Sequence, residues 1–241
     1  MNNDTTFLSS VHHFLTHPQY YRIHKHSIYY NIKFLLYSFL LCALGIILSG
    51  GFILLIDKLF VYYTNNESIY QQIKSTTPPL RNTFGVYTFV VIVFIGPFFE
   101  EVLFRLPLDI RRTHISIFFF ILIFHLFGNS ILQIKLTEIS YIFGLIFGLA
   151  SFLFIQLFTN ELTLNKIKND YYSYCIYASI LSFSLLHITN FKNIQYKYFP
   201  FYILLTLPQF IMGIFITHIR LKRGFIWGFI LHALINTISF L

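Results

Sequence analysis

The chain has 241 residues, of which 56% are hydrophobic and 11% charged, and its mean hydropathy is +0.67. A soluble domain carries about a quarter charged residues, so this composition excludes an ordinary water-soluble globule. The formal net charge of +8 does not point to nucleic acid, because the basic residues stand singly or in pairs between apolar runs.

The expected fold is all-α, a polytopic bundle of about seven transmembrane helices, each near the roughly 20 residues that cross the hydrocarbon. Residues 1–33 are a polar, aromatic cytoplasmic segment carrying His12, His13, His17, His24 and His26, expected to be solvated or at headgroup level rather than a metal site. They lack the apolar core and small-residue cleavage site of a signal peptide. Residues 34–83 hold the first span, 34–56, and its loop. Further spans follow at 84–99, 115–134, 139–158, 171–191, 198–219 and 225–241. Cys42 and Cys175 lie far apart in apolar stretches and read as packing residues. Pro97 and Pro107 are expected to bend the helix they bracket, and Gly144 and Gly148 form a G-x-x-x-G pair suited to close helix packing.

Loop charges orient the bundle. With the N-terminus inside, the inner side collects Arg22, Lys25, Lys33, Arg111, Arg112, Lys166, Lys168, Arg220, Lys222 and Arg223. The outer side holds the smaller set Lys58, Lys74, Arg81, Lys135, Lys192 and Lys197.

Charges inside a span cost at least ~2.5–3.5 kcal/mol each, so they ask for a reason. In FFEEVLFRLP, Glu101 and Arg105 share a helix face at i,i+4 and can pair. Glu100 points about 140° away from Arg105, at about 100° per residue. One carboxylate is thus neutralised within its helix while its neighbour faces something else. His187 ends an apolar stretch, with Phe183 one turn earlier on its face. His232 and Asn236 share a face of the last span. Measured from Arg112, Tyr171 and Lys222, Glu100, His187 and His232 sit roughly 18, 24 and 15 Å from the inner helix ends, and Asn236 roughly 21 Å. Four polar groups from three helices can therefore meet at one depth.

The set E-E-x-x-x-R (Glu100, Glu101, Arg105), F-x-x-x-H (Phe183, His187) and H-x-x-x-N (His232, Asn236), in this order, resembles the CPBP family, the type II CAAX prenyl endopeptidase and Abi-like intramembrane proteases. His125 and Asn129 also read H-x-x-x-N, but no family position remains for them, so they are expected to be packing residues. The resemblance covers about 84–112 and 171–241. It makes 84–241 a protease core with two inserted spans, about 113–170, where the family usually runs directly from its first motif to its second.

The resemblance implies an endopeptidase that hydrolyses a peptide bond of a membrane-associated protein or peptide. Hydrolysis needs a base to activate water, and a desolvated carboxylate is a stronger proton acceptor. Glu100 would be that base and His187 would position the water. His232 and Asn236 would donate to the developing oxyanion. Glu101 and Arg105 would hold the first helix in register, and Phe183 would pack beside His187.

Glu100, His187 and His232 also match a catalytic zinc set of two imidazoles and a carboxylate. With no H-E-x-x-H, and Asn an uncommon ligand, the metal-free, glutamate-dependent reaction is the one expected. Two alternatives stand beside it: a non-catalytic relative acting as a binding or immunity protein, and a small transporter, which would more often show two similar halves or broken helices in matched positions. The expected partners are membrane lipid and a peptide or protein substrate, not nucleic acid. The many Phe, Ile and Asn with few Ala point to an AT-rich genome and a bacterial plasma membrane.

Overall fold

The computed structural model describes residues 7–19, 27–76, 84–128, 139–191 and 194–240, apart from the side chain of Ser239. Arg22, Lys25, Arg81, Lys135, Lys192, His24, His26 and Asn129 lie outside the described residues, as does the end of the 115–134 segment. The described residues form helices α1 (Phe7–Thr16), α2 (Ile28–Thr64), α3 (Ile69–Thr76), α4 (Gly85–Asp109), α5 (Arg112–Gly128), α6 (Ile139–Phe158), α7 (Tyr172–Leu186), α8 (Tyr196–Arg223) and α9 (Phe225–Phe240). No strand occurs among them.

The fold is thus an all-α helical bundle, and all seven expected apolar segments fall on helices in their described parts. Among the described residues four helices, α2, α4, α6 and α8, are long and apolar enough to cross a membrane. The shorter apolar stretches Arg112–Phe127 and Phe225–Ile238 accompany them. Helix α7 has 15 residues, roughly 22 Å at 1.5 Å per residue. It is prolonged upstream by Glu161–Lys166 and a π-turn at Ile167–Tyr171.

Helix α2 starts inside the segment set apart as polar and continues past 56 to Thr64. It stops where Asn65 turns left-handed, at φ 53°, and sends its N–H to the Val61 carbonyl, which satisfies a helix-end acceptor.

The lower half of α8, from Leu207 to Arg223, is the centre of the molecule: α1, α2, α7 and α9 pack around it, and α4 lies between α7 and α9. Cys42, Phe183, Met212, Ile216, Leu231 and Ile235 fill the middle of this core. Helices α5 and α6 pack mainly on each other, and α5 leans on α4. Their closeness depends on two glycines. A Cβ on Gly148 would come 2.9 Å from the Phe120 ring, and one on Gly144 would come 3.2 Å from the Phe124 carbonyl oxygen.

The amino-terminal segment is not only a solvated tail. His12, His13 and His17 are exposed, but Val11 and Phe14 are buried, and Phe14 joins a core cluster with Leu108, Leu164, Tyr172 and Leu221. Nor is Arg220 a loop charge. It is buried on α8 and meets Asp109 at the end of α4, Nη2 to Oδ1 3.0 Å, while His114 approaches the other Asp109 oxygen at 3.3 Å.

Candidate active site

Two prolines shape α4. Pro97 has no N–H to give to a carbonyl one turn back, and its ring disturbs the preceding turn. The backbone answers with a π-turn at Val91–Ile95, in which the Gly96 N–H bonds the Val91 carbonyl. The Ile92 carbonyl thereby loses both helical donors: Gly96 is engaged elsewhere and Pro97 has nothing to offer. The Asn236 side chain supplies the missing donor, its Nδ2 standing 2.9 Å from the Ile92 oxygen.

Pro107 repeats the device. The helix tightens there into a 3-10 turn, and the Leu108 N–H bonds Arg105 rather than Phe104. The freed Phe104 carbonyl accepts from Ser179 Oγ of α7 at 2.6 Å. The two prolines thus open acceptors through which α9 and α7 grip α4.

Between these grips lie the charged residues. Glu101 and Arg105 form the expected i,i+4 pair, Oε1 to Nη1 3.4 Å, both side chains fully buried. The Arg105 guanidinium lies 3.9 Å from the centre of the Phe183 ring, a desolvated cation–π contact. Phe183 touches both imidazoles, with ring centres 4.9 Å from His187 and 5.6 Å from His232. It therefore packs beside His187, as expected, and also backs His232.

His232 joins the two carboxylates. Its Nδ1 donates to Glu101 Oε1 at 3.0 Å, and its Nε2 faces Glu100 Oε2 at 3.4 Å. Arg105, Glu101, His232 and Glu100 form a line running from the buried core to the edge of a cavity.

That cavity, about 550 Å³, lies among α2, α4, α8, α9 and the turn after α7; Glu100, His187 and Asn236 line it together with Asn190 and Gln209. Its apolar wall includes Ile46, Val91, Met212, Ile235 and Phe240. His187 Nδ1 is bonded to the Phe183 carbonyl at 2.9 Å. The ring must donate there, which leaves Nε2 free to accept.

The structure therefore brings Glu100, His187 and Asn236 to one cavity, as the depth estimate expects. His232 differs: it is fully buried and stands behind Glu100 rather than in the cavity wall. His125 lies on α5, away from the cavity lining. Among the described residues no group of three His, Cys, Asp or Glu side chains is placed to hold a metal ion.

Asn190, Gln209 and Ser179 escaped the sequence reading, which followed charged residues and imidazoles. A Gln one residue after a proline within an apolar span is the signal that could have marked Gln209. No family model, curated protein or solved structure matches the chain.

Proposed function

We propose that the chain is an intramembrane endopeptidase of the CPBP type, residing in a bacterial plasma membrane and cutting membrane-associated proteins or peptides. One observation carries this reading: Glu100, His187 and Asn236, from three separated motifs, line a single cavity with His232 against the back of Glu100.

In the proposed reaction Glu100 takes a proton from a water that His187 Nε2 also holds. The remaining hydroxide adds to the scissile carbonyl carbon. Asn236 keeps one Nδ2 hydrogen on Ile92 and has a second to offer to the oxyanion, a kind of contact worth about 3–4 kcal/mol. Glu100 then returns its proton to the leaving nitrogen as the carbon–nitrogen bond breaks, giving a carboxylic acid and an amine.

His232 serves this reaction from behind. It fixes the Glu100 carboxylate and, through Glu101 and Arg105, ties it to the core. This replaces the oxyanion role expected for His232, because both of its ring nitrogens are turned to carboxylates. No step needs a metal. Activity of the purified chain is expected to survive chelation; loss on chelation with recovery on adding zinc would make Glu100 a ligand instead of a base.

The direct test compares membrane peptides in cells making the intact chain with those in cells making Glu100→Gln. Fragments present only with the intact chain are expected. Identical peptide pools at equal folded protein would remove the protease reading and leave the non-catalytic one.

A further inference from the structure

The same cavity has a chemical bias in its walls. Among the described residues its lining contains three amide side chains, Asn190, Gln209 and Asn236, and two titratable groups, Glu100 and His187, but no Lys or Arg. A ligand carboxylate drawn in among these side chains would lose its hydration without gaining a Lys or Arg from them, which is strongly unfavourable.

Gln209 adds a positive requirement. Its Oε1 is buried and has no hydrogen-bond partner among the described residues. An unmet buried acceptor costs about 1–3 kcal/mol, so a side chain that keeps one at a cavity wall is held ready for a ligand. Helix α8 is interrupted at Thr206, whose carbonyl and hydroxyl are taken by Ser184 Oγ at 2.9 and 3.1 Å. Pro208 and Gln209, just after the break, line the cavity, and such breaks are tolerated at membrane depth beside a cavity. A primary amide carries a donor and an acceptor side by side, the same pair that one peptide unit presents.

We propose that the cavity takes an internal, uncharged stretch of extended polypeptide, that Gln209 hydrogen-bonds its backbone, and that a chain end bearing a free carboxylate is excluded. This rests on the reading of the cavity as a peptidase site and names the substrate class. Cleavage should then fall inside a chain rather than beside its carboxyl terminus, with neutral residues on both sides of the cut bond.

The test uses the full-length Glu100→Gln chain in lipid nanodiscs, which binds without cutting. The probes are two pools of fluorescent tetrapeptides of uncharged residues, one amidated at the carboxyl end and one with the free acid. Binding is read by fluorescence anisotropy. The amidated pool is expected to bind at least tenfold more tightly than the free acid, and adding Gln209→Leu should weaken the amidated pool at least fivefold. Equal or tighter binding of the free acid overturns the proposal, as does unchanged binding in the Gln209→Leu chain or no binding of either pool. The comparison of pools needs no change at Gln209, so misfolding of that variant does not blunt it. Cleavage is scored separately: fragments that depend on Glu100 but form with unchanged KM in Gln209→Leu would sink the subsite and leave the protease. Peptide binding without any cleavage would do the reverse.

Discussion

The α4–α9 contact and the α5–α6 hairpin both pack two apolar helices closely, and they do so by different chemistry. In the hairpin Gly144 and Gly148 bring backbones together, and Phe127 stacks on Phe147 with ring centres 5.4 Å apart. Its interhelical polar contacts include Gln156 Nε2 to Ser116 Oγ at 3.1 Å and, at the helix end, the half-exposed Arg112 Nη1 to the Gln156 carbonyl at 3.4 Å; neither is a buried ion pair. At α4 and α9 the contact runs through a buried guanidinium, two carboxylates, an imidazole and an amide. Helix association in lipid needs only small residues and a few neutral bonds. The charged grip on α4 exceeds what packing requires, and it ends at a cavity. The hairpin, which lies between the first and second motifs, packs on itself; on the proposed reading α4 and α9 are arranged for chemistry.

The strongest way to break this contrast is at the buried pair. Glu101→Gln leaves Arg105 without its partner, and losing one member of a buried pair costs about 3–5 kcal/mol. Folded yield in membranes should fall sharply, and Arg105→Gln should resemble it. The double substitution should be milder than the two losses added together, read as folded protein by size-exclusion chromatography in detergent. Additive losses would mean that the pair does not act as a unit.

A smaller effect is expected at the freed carbonyl. Asn236→Leu orphans the Ile92 oxygen at a cost of about 1–3 kcal/mol. Pro97→Ala restores an N–H to that turn, so the same Asn236→Leu change should cost less in the Pro97→Ala background. Thermal unfolding of the four proteins measures the coupling; equal losses in both backgrounds would show that the amide does not serve this carbonyl.

The hairpin supplies the converse. Gly148→Leu drives a side chain into Phe120 and should destabilise by about 1–3 kcal/mol, while activity per folded molecule stays unchanged. A loss of turnover there would tie the hairpin to the site. The smallest effect belongs to His125→Gln, whose turnover should match the parent, since His125 lies outside the cavity.

The Glu101–Arg105 pair was legible because both residues lie on one helix, where spacing alone fixes the face. The meeting of Glu100, His187 and Asn236 was legible as depth, because residue rise converts position into height. What a single helix cannot reveal is where a side chain from another helix ends. His232 reaches both carboxylates only because Phe183 and α8 set the height and roll of α9 against α4.

Asn236 was read as a donor to an oxyanion, and its bond to Ile92 was missed even though Gly96–Pro97 announces a disturbed turn with a spare carbonyl. The docking of α1 was readable in Phe7, Val11 and Phe14 at helical spacing, but the histidines between them drew the eye to solvent. Arg220 counted as a loop charge because it lies three residues from Arg223. Only the end of α4 folding back brings Asp109 to it.

The central claim separates two adjacent carboxylates: Glu100 for the chemistry and Glu101 for the fold. Turnover per folded molecule in Glu100→Gln and Glu101→Gln, measured on one fragment-yielding substrate, tests it most directly. The account predicts that Glu100→Gln folds like the parent and loses cleavage by about a hundredfold or more, while Glu101→Gln folds poorly and keeps activity in what remains. A well-folded, inactive Glu101→Gln beside a Glu100→Gln that still cuts would contradict it.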